Sequence, residues 1–162
     1  LQNLAGTSSF YIHRAELQLL PQERLTSSSE EYDKIMRHLM QFYHDIYLID
    51  IQKNHHSDVM TELADCGAVI VGSATHNNNV LPGIADVLTY MKGLRPLNRV
   101  GAAFGSYGWS GESPKIIQEW LASMNMDMPA DPVKCLFVPK HEGLSQCVAL
   151  GKTVAEALKA KC

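Results

Sequence analysis

Residues Gly67 to Asn79 read GAVIVGSATHNNN, and this stretch decides the fold. Its first six residues form an almost continuous apolar run, the pattern of a strand buried on both faces of a parallel sheet. The next seven are polar and turn-forming, so the strand opens abruptly into a loop. Pro82 then fits the first turn of a helix that carries Ile84, Val87, Leu88 and Met91 inward and stops at Gly93. Strand, polar loop and amphipathic helix in this order make one βα unit.

The same alternation extends in both directions. Upstream, Ile46 to Ile51 is a compact strand, followed by a short helix that Ser57 caps and whose apolar face is Val59, Met60 and Leu63. Downstream, Arg99 to Phe104 is a strand that ends in GSYGWSG. Ser113 and Pro114 start a helix with Ile116, Ile117, Trp120, Leu121 and Met124, and Pro129 and Pro132 mark the turn into the strand Val133 to Val138. A last helix runs from Leu144 to about Lys161, with Leu144, Val148, Leu150, Val154 and Leu158 at helical spacing. Ahead of all these, Ser28 and Glu31 form a capping-box signature for a helix that carries Tyr32, Ile35, Met36, Leu39, Met40 and Tyr43 and ends near His44. That helix needs a preceding strand. Ala15 to Leu20 is the better candidate and Phe10 to His13 the second, in a stretch of 27 residues that carries the weakest pattern. Right-handed crossovers then predict one α/β domain over residues 1–162, a five-stranded parallel sheet of order 2-1-3-4-5 between two helical layers.

Composition narrows the function classes. Fourteen basic residues against seventeen acidic ones give a net charge of −3, which offers no electrostatic footprint for nucleic acid or an anionic membrane. Cys66, Cys135, Cys147 and Cys162 are widely spread, without a C-x-x-C pair, and read as reduced cytoplasmic thiols. No apolar run approaches the roughly 20 residues that cross a bilayer. The first residue is Leu1 rather than Met, which leads to the expectation of an excised domain or a fragment.

In open α/β sheets, ligands sit beyond the carboxyl ends of the strands, and three polar loops leave such ends here. One supplies Ser73, Ala74, Thr75, His76, Asn77, Asn78 and Asn79, whose amides and hydroxyls suit the edge of a planar heteroaromatic ring. The second supplies Gly105, Ser106, Tyr107, Gly108, Trp109, Ser110 and Gly111, where glycines admit a flat ligand and an aromatic covers its face. The third, Thr26, Ser27, Ser28 and Ser29, places hydroxyls and N–H groups at a helix start, where a phosphate is favoured. Ring edge, ring face and phosphate together describe a mononucleotide site. Each piece also has a plainer reading: serine caps, an asparagine turn, surface aromatics beside glycine. His55 and His56 have no third metal ligand in sequence reach.

VGSATHNNNVLPGIADVLTYMKGL followed by AAFGSYGWSGES resembles the flavodoxin-like domain of the flavodiiron proteins, whose pattern is close to VGSPTxNNxxLP and then AFGSYGWSG. The resemblance runs from about Asp45 to Leu158, with Ala74 where the family often has proline. Ahead of it, LQLLPQERLTSSSEE stands in place of a phosphate loop of the type YDTMxGST. The resemblance implies a flavodoxin-like fold that holds FMN and passes electrons. Ser73, Thr75, Asn77 and Asn78 would contact the ring, and Ser106, Tyr107, Gly108 and Trp109 would wrap its other side. It implies a redox donor such as rubredoxin or a reductase, and, in a larger protein, a diiron lactamase-like domain that reduces oxygen or nitric oxide across a homodimer. That domain's H-x-E-x-D-H ligand cluster is absent from this sequence, so the chain carries no diiron catalytic motif. Two other classes stay open: a degenerate docking module without FMN, and an NAD(P)H-dependent flavin or quinone reductase.

Overall fold

The structure, a computed structural model, describes residues 9–13 and 46–161, by backbone alone at 9–13 and at Ile46. Among these residues the chain forms β1 (Ser9–His13), β2 (Ile46–Asp50), α1 (His56–Asp65), β3 (Ala68–Gly72) and α2 (Pro82–Leu94). It continues with β4 (Val100–Tyr107), α3 (Ser113–Ser123), β5 (Val133–Leu136) and α4 (His141–Lys159). The strands make one sheet in the spatial order β2-β1-β3-β4-β5.

Strands β3, β4 and β5 are parallel, whereas β1 runs antiparallel to both β2 and β3. The all-parallel expectation is therefore corrected at β1. A strand between two neighbours can satisfy its N–H and C=O groups in either sense, and the connection that sets the sense here is long. The strand itself falls on the second candidate, Phe10 to His13. Ala15 to Leu20, the helix expected over residues 28–44, and Thr26 to Ser29 lie outside the described residues. The reversal has a spatial consequence: Ser9 pairs with Gly72 at the carboxyl edge of β3, and His13 with Ala68 at the opposite edge. Strand β1 thus ends at the edge away from the ring loops.

Alternation along β3 divides the core. Val69 and Val71 face a layer built from α1, α2 and α3, with Val59, Ile84, Val87, Leu88, Met91, Ile117 and Leu121 fully buried. Ala68 and Ile70 face the other side, where Leu150, Val154 and Leu158 of α4 pack on Val100 and Ala102. Each large apolar side chain so buried contributes about 1.5–3 kcal/mol, and this burial fixes the register of the sheet.

Several boundaries differ from expectation. His55, not Ser57, caps α1: its Nδ1 accepts from the Ser57 backbone N–H at 3.3 Å, and Asp58 accepts from the His55 N–H at 3.0 Å. His56 pairs with Asp86 at 2.8 Å, so both histidines have structural partners. Helix α2 passes through Gly93 and ends where Arg95 turns left-handed (φ 50°), its N–H reaching the Met91 carbonyl. Strand β4 continues to Tyr107, so Gly105, Ser106 and Tyr107 are strand residues rather than loop residues. Strand β5 stops at Leu136 because Phe137 adopts φ 54°. Helix α4 starts at His141, and Val148 is exposed rather than inward, since the short edge strand leaves the first turns of α4 partly uncovered.

Candidate functional site

The loop after β3 begins as an extension of the sheet. Ser73 N–H donates to the Phe104 carbonyl at 3.2 Å and Thr75 N–H to the Ser106 carbonyl at 2.8 Å. Ser73 is buried, and its hydroxyl donates to the Ala74 carbonyl at 2.8 Å while accepting the Leu81 N–H at 3.0 Å. That hydroxyl fastens the start of α2, whose N-terminus has no other side-chain cap. Beyond Thr75 the chain folds into a two-residue hairpin. His76 and Asn79 exchange both backbone hydrogen bonds at 2.9 Å, and Asn77 and Asn78 between them have φ 48° and 57°. Two successive positive-φ residues define a type I′ turn, for which asparagine is among the few suitable side chains. The asparagine run is thus a turn, and the turn lifts the exposed amides of Asn77 and Asn78 above the sheet edge.

The loop after β4 is Gly108 to Glu112. Gly111 has φ 73° and lies under the Tyr107 ring, whose nearest atoms would stand 2.9 Å from any Cβ placed there. Trp109 is 79% exposed, and Tyr107 is half-buried, so neither ring is lost beneath a helix. The two loops meet twice. Ser110 Oγ donates to Asn78 Oδ1 at 3.4 Å, and Ser113, which is fully buried at the start of α3, bonds both Thr75 and the Ser73 carbonyl.

Three residues were not singled out by the sequence pattern for this site. Ser113 reads there only as a helix start. Phe137 reads as the interior of an apolar strand, yet its N–H donates to the Tyr107 carbonyl at 2.8 Å and its ring lies beside Gly108. Together with Leu136 and Val138 it leaves an exposed apolar edge next to Trp109's loop. Glu112, at the N-cap of α3, buries one carboxylate oxygen, Oε2, without a hydrogen-bond partner.

These features suit a flat heteroaromatic ligand such as the flavin expected above. The edge of such a ring needs both donors and acceptors, which the two exposed amides supply together. No side chain of its own obstructs approach at Gly108, and Trp109 supplies free aromatic area. Ser73 spends its hydroxyl on the protein, and Thr75 spends its hydroxyl proton there while keeping one acceptor lone pair. Gly105 and Ser106 hold the loops from the strand. The third expected loop, Thr26 to Ser29, lies outside the described residues.

No protein-family model matches the chain. Rubredoxin-oxygen oxidoreductase of Megalodesulfovibrio gigas is 50% identical over 133 residues, which cover 80% of this chain and 33% of that protein. Among solved structures, rubredoxin oxygen:oxidoreductase from Desulfovibrio gigas superposes with a TM-score of 0.68 at 56% identity, covering 68% of this chain and 28% of that one. The flavodiiron protein from Giardia intestinalis gives 0.64 at 28% identity, over 69% of this chain and 28% of that one. A flavodoxin from the domain Archaea gives 0.59 at 32% identity, over 67% of this chain and 74% of that one. Sheet, loops and superposition together define a flavodoxin-like domain, and the chain belongs to that family. Within it, the sequence is related to the flavodiiron proteins, of whose curated members it spans about a third or less.

Proposed function

We propose that the chain is a single FMN-binding domain that transfers electrons in the cytoplasm. The observation that carries this reading is the pair of loops beyond β3 and β4, bonded to each other and together presenting exposed amides and an exposed indole at the carboxyl edge of the sheet. When bound, FMN supplies reversible one- and two-electron transfer. The protein's part is to hold and tune. Asn77 and Asn78 orient the ring edge, Trp109 covers a face and excludes water, and the hydrogen-bonded loops fix these groups in advance of binding, so that little reorganisation accompanies a change of charge. The name of the relative from Megalodesulfovibrio supports a rubredoxin-like donor or a reductase as partner. In a longer protein the acceptor is a diiron lactamase-like domain reducing oxygen or nitric oxide, across a homodimer.

Visible absorption of the purified protein, followed by fluorescence titration of the apoprotein with FMN, tests this. A yellow protein that releases FMN on denaturation and rebinds it stoichiometrically is the expected result. A colourless protein that leaves FMN fluorescence unchanged would overturn the reading.

A further inference from the structure

Thr75, Ser113 and Ser73 form a closed hydrogen-bond set with one consistent arrangement of protons. Ser113 Oγ lies 3.0 Å from the Ser73 carbonyl, which can only accept, so the Ser113 hydroxyl proton points there. Ser113 Oγ also lies 3.0 Å from Thr75 Oγ1 and, its own proton committed, must accept from Thr75. Thr75 Oγ1 in turn accepts the Ser113 backbone N–H at 3.3 Å. Ser113 is fully buried, so water does not compete for these bonds. Thr75 therefore has no proton left to donate outward and offers a ligand one acceptor lone pair only.

We infer that Ser113 is a positioning residue for the ring site: it ties the loop after β3 to the head of α3 and turns the Thr75 hydroxyl into an acceptor, matched to an N–H on the ligand edge. This rests on the flavin reading above. Removing the Ser113 hydroxyl frees the Thr75 proton to point outward, where it opposes a ring N–H, and releases the Ser73 carbonyl.

The test uses the purified chain, its Ser113→Ala and Thr75→Val variants and the double variant, each titrated with FMN. The midpoint potential of bound flavin and the thermal midpoint of the apoprotein are recorded alongside. Each single variant is expected to weaken FMN binding about tenfold, the scale of one hydrogen bond, and to shift the potential. The double variant is expected to be no weaker than about the worse single one, because the two side chains act as one unit. Wild-type protein that binds FMN beside a Ser113→Ala variant of equal affinity and potential overturns this inference alone, whatever the thermal midpoint does. Independent losses that multiply to about a hundredfold in the double variant overturn it too. A wild-type chain that binds no FMN overturns the flavin reading and the inference together.

Discussion

Gly105 packs so closely beneath the Ser73 carbonyl that a Cβ at position 105 would collide with that oxygen, and would also crowd Pro114 at 3.0 Å. The loop after β3 therefore reaches Ser113 only because β4 has no side chain at this point. Gly105→Ala should destabilise the fold by about 1–3 kcal/mol, as overpacking does, and should also weaken ligand binding by pushing the two loops apart. Chemical denaturation with an unchanged slope but a lower midpoint is the expected record.

Asn78 serves a turn and, in the reading above, a ligand, and the two roles separate. Asn78→Gly keeps the left-handed backbone that the I′ turn requires, so stability should change by no more than about 0.5 kcal/mol, while the lost amide should weaken FMN binding. Asn77→Ala removes the short polar side chain that lets asparagine tolerate φ 48° and should lower stability by about 1 kcal/mol. Equal FMN affinity in Asn78→Gly would restrict the asparagine to the turn.

Arg99, just ahead of β4, caps a helix from a distance. Its guanidinium donates to the Ala64 carbonyl at 2.8 Å, near the end of α1, and at 3.5 Å to the Leu63 carbonyl, which also accepts the Cys66 N–H; α1 has no basic residue in its last turn. Arg99→Ala should destabilise by about 1 kcal/mol, and Arg99→Lys should recover part of that, as seen by thermal unfolding.

Burial pushes the Cys147 thiol up to about 11, reinforced by the charge of Cys135 and by the hydrogen bond between the two side chains. Burial likewise raises Cys135. The thiol form is thus favoured in the folded state. The contribution to stability is full below about pH 9, where the unfolded thiol is still protonated, and is lost as pH rises from about 9 toward 11. In a Cys162→Ser background, alkylation of Cys147 should be slow at pH 8 and accelerate steadily through pH 10, and denaturation should raise the rate at both pH values as the thiol returns toward its ordinary pKa.

The reversed β1 bears on phosphate binding, because its last residue, His13, sits at the edge opposite the ring loops. With LQLLPQERLTSSSEE in place of the family's YDTMxGST loop, the affinity expected to suffer is that for phosphate. Charge-assisted hydrogen bonds contribute roughly 1.5–3 kcal/mol each, so losing two costs about two to four decades. Riboflavin and FMN should then bind with similar affinity in a fluorescence titration. FMN tighter by several decades would show a working phosphate site.

The α/β alternation and the places where chemistry gathers are legible in the chain's local composition. Buried runs such as GAVIVG, helical apolar stripes and glycine-asparagine loops are written in local composition, because strand and helix periods are local properties. The sequence also locates both loops that meet at the sheet edge. Which groups in those loops remain available is settled by the folded chain. Ser73 and Thr75 look like ligand donors until Leu81, Ser113 and the Ala74 carbonyl are seen to occupy them, and such partners lie at sequence separations that no local pattern encodes. The sense of β1 was likewise undetermined, since its five residues read the same in either direction along the sheet. Phe137 shows the same limit from the other side: its apolar neighbours predict a continued strand, and a positive φ held by the Tyr107 carbonyl ends it instead. Periodicity assigns each segment its face, but long-range hydrogen bonds and close backbone contacts assign each polar atom its partner, and only the folded chain brings those together.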